Sequence, residues 1–175
     1  MLGCVLSRGY RFTRNDDVMT QAENKPSDKS GEDFGALDEK QLPIPAGFGP
    51  LFRSSPLLDL LGPIYGKGSG ADLVIGLRVA VKHTNSRGTV HGGVLAAIAD
   101  VTLGYVTAFS SDPPRRLVTA SLTVDYMGSA RAGDWIEARV ERSKAGKTLA
   151  FANCWITAGE TQIARASAVF SAAPE

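Results

Sequence analysis

The sequence predicts an α+β domain in which an antiparallel sheet wraps around one long central helix. Residues 90–110 form a long segment that is apolar on most sides, which is typical of a buried helix. Four strand-like segments follow it, and short hairpin-like turns separate the last three. A buried helix followed by successive strands indicates a sheet packed on that helix.

The elements before the long helix are shorter. Ser54-Ser55-Pro56 is a helix start, the run LLDLLG follows, and Gly62-Pro63 ends it, so we predict a short helix leading into a strand near Ile64. Residues 71–85 alternate apolar and polar side chains, as a half-buried strand does. After the SDPPRR turn, an antiparallel meander of four strands is expected at 117–128, 134–145, 147–160 and 161–173, with turns at 143–146 and 159–160.

The composition indicates one globular domain. The chain has 175 residues, of which 43% are hydrophobic and 21% charged, enough for a real core. A formal net charge of +1 without a Lys/Arg run argues against nucleic acid and anionic membranes as partners. We judge no apolar stretch long enough to span a bilayer, so we expect a soluble protein whose partner is a small molecule or a second copy.

Cysteine and histidine usage constrains location and metal binding. Cys4 and Cys154 are far apart and form no CxxC pair, so we expect reduced thiols and a cytoplasmic protein. The two histidines, His83 and His91, do not cluster with cysteines or carboxylates at the spacing of metal ligands, so no metal is expected.

Residues 1–46 are expected to be a disordered or loosely held tail before a domain at 47–175, because the stretch after residue 14 is polar, charged and nearly free of β-branched or aromatic residues. The first fourteen residues carry three arginines and no acid, which faintly resembles an organellar transit peptide; a native start at Met19 is the alternative.

The stretch NSRGTVHGGVLAAIAD, residues 85–100, carries the candidate chemistry. Gly92 and Gly93 leave backbone N–H groups exposed at the positive end of the helix dipole, where an oxyanion could bind. The alternative is that these glycines only allow close packing at the start of the helix. Asp100 lies among apolar residues, and burying its carboxylate is costly unless it is paired or functional; bonding to nearby backbone or partial exposure is the structural alternative.

Helix geometry separates the two ends of this stretch. Nine residues place His91 and Asp100 on opposite faces and about 13 Å apart along the axis. If both serve one reaction, Asp100 must come from a second copy whose helix runs antiparallel, as a two-fold axis would provide.

The pattern N-x5-HGG-x7-D, with YMGSARAGD and GKTLAF downstream, resembles the hotdog-fold acyl-CoA thioesterases, close to the PaaI-like phenylacetic-acid-pathway type and thioesterase superfamily member two. The resemblance covers residues 51–172. It implies a hotdog fold, hydrolysis of acyl-CoA thioesters, and a homodimer that assembles into a homotetramer. Coenzyme A enters as part of the substrate, so no separate cofactor is expected.

The resemblance also implies roles for individual residues. The Gly92 N–H polarises the thioester carbonyl, and Asp100 is general base or nucleophile. Asn85 and His91 orient the thioester or the attacking water, and Thr119, where the family often has serine, positions that water. By residue type alone, Asn85 suits a turn, His91 a packing position and Thr119 any strand.

For coenzyme A, the resemblance points to the residues around the end of the first long strand and to the following hairpin. Arg131 and Lys144 suit phosphate groups, although both are also ordinary surface residues. The candidate binding residues are Gly93, Tyr126, Met127, Gly128, Ser129, Ala130, Arg131 and Lys144.

Two other functions stay open from the sequence. A hydratase or dehydratase of acyl thioesters would use His91 and Asp100 as a proton-transfer pair, whereas Gly92-Gly93 and Asn85 fit hydrolysis better. A non-catalytic acyl-CoA binding module would need no carboxylate.

Overall fold

The computed structural model describes residues 42–172. The transit-like segment, Cys4 and Met19 lie outside the described residues, and the boundary between tail and domain stays a prediction.

Seven antiparallel strands form one sheet, in the order β1-β2-β3-β5-β6-β7-β4. A short helix α1 (Pro56–Leu61) precedes β2, and a long helix α2 lies between β3 and β4. The strands are β1 (Gly49–Pro50), β2 (Ile64–Lys67), β3 (Val74–Arg78), β4 (Leu117–Tyr126), β5 (Trp135–Ala145), β6 (Leu149–Ala158) and β7 (Thr161–Ala172).

Helix α2 (Gly92–Phe109) is the centre of the fold, as predicted. Eight of its 18 residues are buried, among them Leu95, Ile98 and Leu103, and the helix packs on strands β3 to β7. Its length and apolar composition would suffice to cross a membrane, so the expectation that no stretch is long enough was wrong. A soluble core helix has the same composition, because it is buried by a sheet instead of lipid.

Helix α1 begins where the sequence predicts. The Ser55 hydroxyl accepts a hydrogen bond from the Leu58 N–H at 3.3 Å, and Pro56 occupies the first turn, where its missing N–H costs nothing.

The predicted half-buried strand at 71–85 is wrong in length and burial. Strand β3 covers only Val74–Arg78, and a 3₁₀ turn follows at Val81–His83. Val74 to Leu77 are all buried, because aromatic side chains cover the sheet face opposite the core. The alternation of apolar and polar residues therefore did not predict the burial of this strand, because tertiary packing covers both faces of β3.

The predicted four-strand meander holds only for its last three strands. Strand β4 pairs with β7, so the chain crosses the sheet between β4 and β5. The connecting residues 127–134 are too many for a tight hairpin, and the N–H groups of Met127 and Gly128 both donate to the Ile163 carbonyl, which keeps the end of β4 beside β7. The hairpin at 159–160 is confirmed, with Gly159 at φ +58°, whereas β5 continues to Ala145, beyond the predicted start of its turn.

His83 is structural. Its side chain is buried, Nδ1 accepts a hydrogen bond from the Ala80 N–H at 2.8 Å, and Nε2 lies 2.6 Å from the Leu61 carbonyl oxygen. These contacts require the neutral tautomer with its proton on Nε2. The imidazole thereby joins the 3₁₀ turn to helix α1.

An aromatic cluster covers the outer face of β3. The Trp135 ring lies 5.1 Å from that of Phe48, with the planes at 74°, and the Arg78 guanidinium lies 5.1 Å from the Trp135 centroid. Gly76 makes this packing possible, because a Cβ there would lie 2.2 Å from Trp135 Cζ2. The absence of a side chain at Gly76 is thus part of the packing of the cluster.

We expect Gly76→Ala to lower the free energy of unfolding by about 1–3 kcal/mol, because the added methyl group forces Trp135 out of its place. Gly49→Ala is the matched control, since a Cβ at Gly49 would meet nothing within 4 Å. Urea denaturation followed by Trp fluorescence measures both. Equal free energies of unfolding for the two variants would show that Trp135 can move to admit the methyl group without a loss of stability.

Candidate active site

Asp100 is the one charged residue of helix α2, and it is half-buried on the side of the helix that faces β4. The Thr119 hydroxyl donates a hydrogen bond of 2.8 Å to Asp100 Oδ1. A β-bulge changes the register of β4 against β7 between Thr119 and Ser121, and such bulges re-aim a side chain locally. Asp100 is thus partnered by a hydroxyl and has no ion pair within the described residues.

A cavity of ≈ 470 Å³ opens beside the carboxylate. Its wall runs along helix α2 from Asp100 to Phe109, and β4 contributes Leu117 and Thr119. The remaining lining residues are Arg53, Val101, Gly104, Tyr105, Ala108, Pro114, Arg115, Arg116 and Phe170. A cleft of this size suits a small-molecule ligand.

Gly92 is the first residue of helix α2, and within residues 42–172 its N–H has no acceptor. The Tyr126 hydroxyl donates to the Gly92 carbonyl at 2.9 Å, and a Cβ on Gly92 would lie 3.1 Å from Tyr126 Cζ. The ring therefore lies closer to the backbone than most residues with a Cβ would permit. An unpaired N–H at a helix N-terminus is a donor for a negatively charged oxygen.

His91 is the N-cap of helix α2. Its Nδ1 accepts a hydrogen bond from the Gly93 N–H at 2.9 Å, and the backbone N–H of His91 donates to the His83 carbonyl at 2.8 Å. Gly93 is therefore already bonded, whereas Gly92 is not. The imidazole is exposed, and with Nδ1 as acceptor its neutral form carries a proton on Nε2.

Asn85 is bonded within its own turn. Its Oδ1 accepts from the Arg87 N–H at 2.8 Å, and its Nδ2 donates to Thr89 Oγ1 at 3.0 Å. This is the turn role that its residue type allows, and a role toward substrate stays a prediction.

The segment 126–131 runs beside residues 89–92. Val90 donates its N–H to the Ala130 carbonyl at 2.8 Å, and Arg131 forms a β-bridge with Thr89. Ala130 is buried, while Tyr126, Met127, Gly128, Ser129 and Arg131 are exposed. The predicted coenzyme A segment and the Gly92 N–H therefore lie together, and we call Asn85, His91, Gly92 and 126–131 the donor half-site.

Asp100, Thr119 and the cavity form a second group, the carboxylate half-site. Gly92 and Asp100 are eight residues apart in one uninterrupted helix, hence about 12 Å along its axis. One chain therefore does not bring the two half-sites together around a single reacting carbon.

Arg131 and Lys144 are also far apart within one chain. Arg131 precedes β5 and Lys144 lies near its end, and the nine steps from Trp135 to Lys144 alone span about 30 Å. Lys144 lines a different groove, on the outer sheet face, with Glu141, Phe151 and Asn153. Within one chain these two cations cannot hold the same phosphate.

The described residues contain no group of three or more His, Cys, Asp or Glu side chains that could hold a metal ion. Cys154 is a buried free thiol, and burial raises its pKa to about 12, partly opposed by a backbone hydrogen bond from Ala166. The thiol is therefore protonated at neutral pH and a poor nucleophile.

The arginines and aromatic residues of the cavity were not predicted from the sequence. SDPPRR was interpreted only as a turn, yet Arg115 and Arg116 line the cavity, and Tyr105 and Phe109 belong to its helical wall. The adjacent arginines were the available signal. Their meeting with Arg53, which is remote in the chain, depends on the tertiary fold.

Comparisons with known proteins identify the family of the chain. The Thioesterase superfamily matches residues 87–164, which contain Gly92, Asp100 and Thr119. A Pseudomonas aeruginosa protein named as an esterase is 50% identical over 128 residues, covering 73% of this chain and 96% of that protein. Acyl-coenzyme A thioesterase 13 of Mus musculus is 32% identical over 85 residues, covering 49% of this chain and 60% of that protein.

Solved structures share the fold. Zebrafish thioesterase superfamily member 2 aligns with a TM-score of 0.60 at 27% identity, over 69% of this chain and 89% of that one. The Escherichia coli PaaI protein aligns with a TM-score of 0.60 at 20% identity, over 69% and 86%, which supports the fold alone. By its sequence relatives and its helix-centred antiparallel sheet, the chain belongs to the thioesterase superfamily and has the hotdog fold predicted from its sequence.

Proposed function

We propose that this thioesterase hydrolyses acyl-CoA thioesters to a free acid and coenzyme A, at a site shared between two copies of the chain. One observation carries the proposal: a carboxylate in the middle of helix α2 is bonded to a hydroxyl and lines a cavity, while an unpaired N–H lies at the N-terminus of the same helix. The relative named acyl-coenzyme A thioesterase 13 supports the substrate class.

The chemistry requires three groups. The Gly92 N–H binds the thioester oxygen as it becomes negative, aided by the positive end of the helix dipole. Asp100 of the other copy removes a proton from water, and the water oxygen bonds to the carbonyl carbon. The tetrahedral intermediate then collapses, the C–S bond breaks, and the sulfur leaves as thiolate and takes up a proton. Asp100 as a nucleophile that forms an anhydride is the alternative route.

Thr119 positions the carboxylate. Its hydroxyl donates to Oδ1, which leaves Oδ2 to accept a proton from water. The methyl group that distinguishes threonine from serine does not prevent this hydrogen bond, so the residue fits the role that serine has elsewhere in the family.

Strand β4 supports the two-fold arrangement. Among the described strands it has one neighbour, β7, so its other edge is free to pair with β4 of a second copy. Antiparallel pairing would align the two α2 helices in opposite directions and bring one copy's Gly92 toward the other copy's Asp100. A homotetramer built from two such dimers, located in the cytoplasm, completes the proposal.

The hydratase and binding-module alternatives are less well supported. His91 uses Nδ1 to accept a hydrogen bond from the Gly93 N–H, so its neutral imidazole presents only the Nε2 proton and has no free nitrogen lone pair to act as a base. A binding module needs no half-buried carboxylate beside a cavity.

We expect Asp100→Asn to lower kcat for acyl-CoA hydrolysis by a factor of 10³ or more, with little change in acyl-CoA affinity, because the amide keeps the shape and removes the base. Thiol release with a panel of acyl-CoAs measures turnover, and calorimetry with a thioether analogue measures affinity. Asp72→Asn, the same change at an exposed position, is the control. Turnover within tenfold of the wild type, about 1.4 kcal/mol, would contradict the role of Asp100.

Two variants of Thr119 separate the effect of its hydroxyl group from the effect of its side-chain shape. We expect Thr119→Ser to keep kcat within about threefold, whereas Thr119→Val loses tenfold or more, because a hydrogen bond to a charged group contributes about 1.5–3 kcal/mol. Equal kcat for the two variants, measured by the same thiol assay, would rule out positioning by the hydroxyl.

Complementation tests the shared site. Asp100→Ala removes the base, and Gly92→Pro removes the oxyanion donor at the first helical position, where proline is well tolerated. Each variant refolded alone should be inactive. Refolded together, half of the dimers are mixed and each mixed dimer has one intact site, so about a quarter of the wild-type activity should return.

The control is that each variant folds and dimerises, because Tyr126 must shift slightly to admit the proline ring. Circular dichroism and size-exclusion chromatography establish this, and differently tagged chains verify that mixed dimers form. Mixed dimers without activity would contradict a site shared across the two-fold axis.

A further inference from the structure

The cavity beside Asp100 has an excess of positive charge. Arg53, Arg115 and Arg116 line it, and Asp100 is the single acid in the lining. Within the described residues none of the three arginines forms an ion pair. Three guanidinium groups around one carboxylate leave an uncompensated charge at this cavity.

Neutral groups hold two of these arginines. The Arg115 side chain donates through Nη2 to the Lys147 carbonyl at 3.0 Å, and its backbone N–H donates to the Ala108 carbonyl at the end of helix α2. The Arg53 guanidinium lies 5.9 Å from the centroid of the Phe109 ring. These contacts position the guanidinium groups without neutralising them.

The rest of the cavity is mainly apolar. Val101, Tyr105, Leu117 and Phe170 line it, and Gly104 leaves the space where a Cβ would lie 3.6 Å from the Phe170 ring. The helical wall from Asp100 to Phe109 is about 13 Å long, which suits an acyl chain of medium length. The cavity thus has the Asp100 carboxylate at one end, apolar walls along helix α2, and arginine side chains where that helix ends.

We propose that this cavity selects acyl groups whose far end carries a carboxylate, with Arg53, Arg115 and Arg116 as the specificity-determining residues. The inference rests on the proposed function, which puts the thioester carbon next to Asp100. A carboxylate at the end of the chain receives charge-assisted hydrogen bonds from the planar guanidinium groups, whereas a methyl end receives none and would desolvate them.

The test compares octanoyl-CoA with suberoyl-CoA, which has the same chain length and a carboxylate at its far end. The wild type is expected to favour suberoyl-CoA by tenfold or more in kcat/KM. Arg115→Gln, and separately the double variant Arg53→Gln/Arg116→Gln at exposed positions, should remove this preference by lowering kcat/KM for suberoyl-CoA tenfold or more relative to octanoyl-CoA. Arg139→Gln, an exposed arginine of β5 outside the cavity, is the matched control and should change neither.

The phosphates of coenzyme A are another source of negative charge, and the same variants distinguish them. If the arginines bound those phosphates, KM would rise equally for both substrates, inhibition by free coenzyme A would weaken, and the proposal would be overturned. Wild-type hydrolysis of octanoyl-CoA without a preference for suberoyl-CoA would also overturn it, while leaving the proposed function intact.

A binding measurement covers the case in which neither thioester is hydrolysed, which would count against the proposed function. Calorimetry with thioether analogues of the two substrates then tests the cavity alone. Tighter binding of the suberoyl analogue by tenfold, lost in the arginine variants, supports the proposal, and equal binding of the two analogues overturns it.

Discussion

Burial of helix α2 against the sheet is the constraint on which the rest of the structure depends. Its inner face, with Leu95, Ile98 and Leu103, packs on the strands and fixes the helix in position. The rise of about 1.5 Å per residue sets the separation of Gly92 and Asp100 at about 12 Å, and the packing keeps the helix straight and in place between them. The presence of two half-sites in one chain therefore follows from having both groups on one buried helix.

The two half-sites suit different parts of a thioester. The donor half-site presents a helix N-terminus, an exposed imidazole and the segment 126–131, all held by backbone hydrogen bonds. The carboxylate half-site presents Asp100, bonded to Thr119, and a cavity with apolar walls and arginines. Chemistry that needs both is expected to require two copies of the chain, which makes dimerisation part of the proposed mechanism and not only of stability.

Close packing of an aromatic ring against a glycine occurs at two positions in the fold. Gly76 admits Trp135 to the outer face of β3, and Gly92 admits Tyr126 to the first turn of α2. In the first case the result is a covered strand, and in the second it is a helix terminus whose carbonyl is bonded and whose N–H is unpaired. Packing of the same kind thus serves the core at one position and the candidate site at the other.

The sequence alone determined the long helix, the four strands after it and the family, because hydrophobic periodicity and the HGG-x7-D pattern are local. It also gave Asp100, Thr119 and Gly92 as candidate site residues, and their roles stay predictions. Only the tertiary structure decided that β4 lies beside β7, that β3 is covered on both faces, and that His83 is a buried link. It also assembled Arg53, Arg115 and Arg116 around one cavity. Strand order, burial and such clusters depend on contacts between residues distant in the chain, which local patterns do not encode.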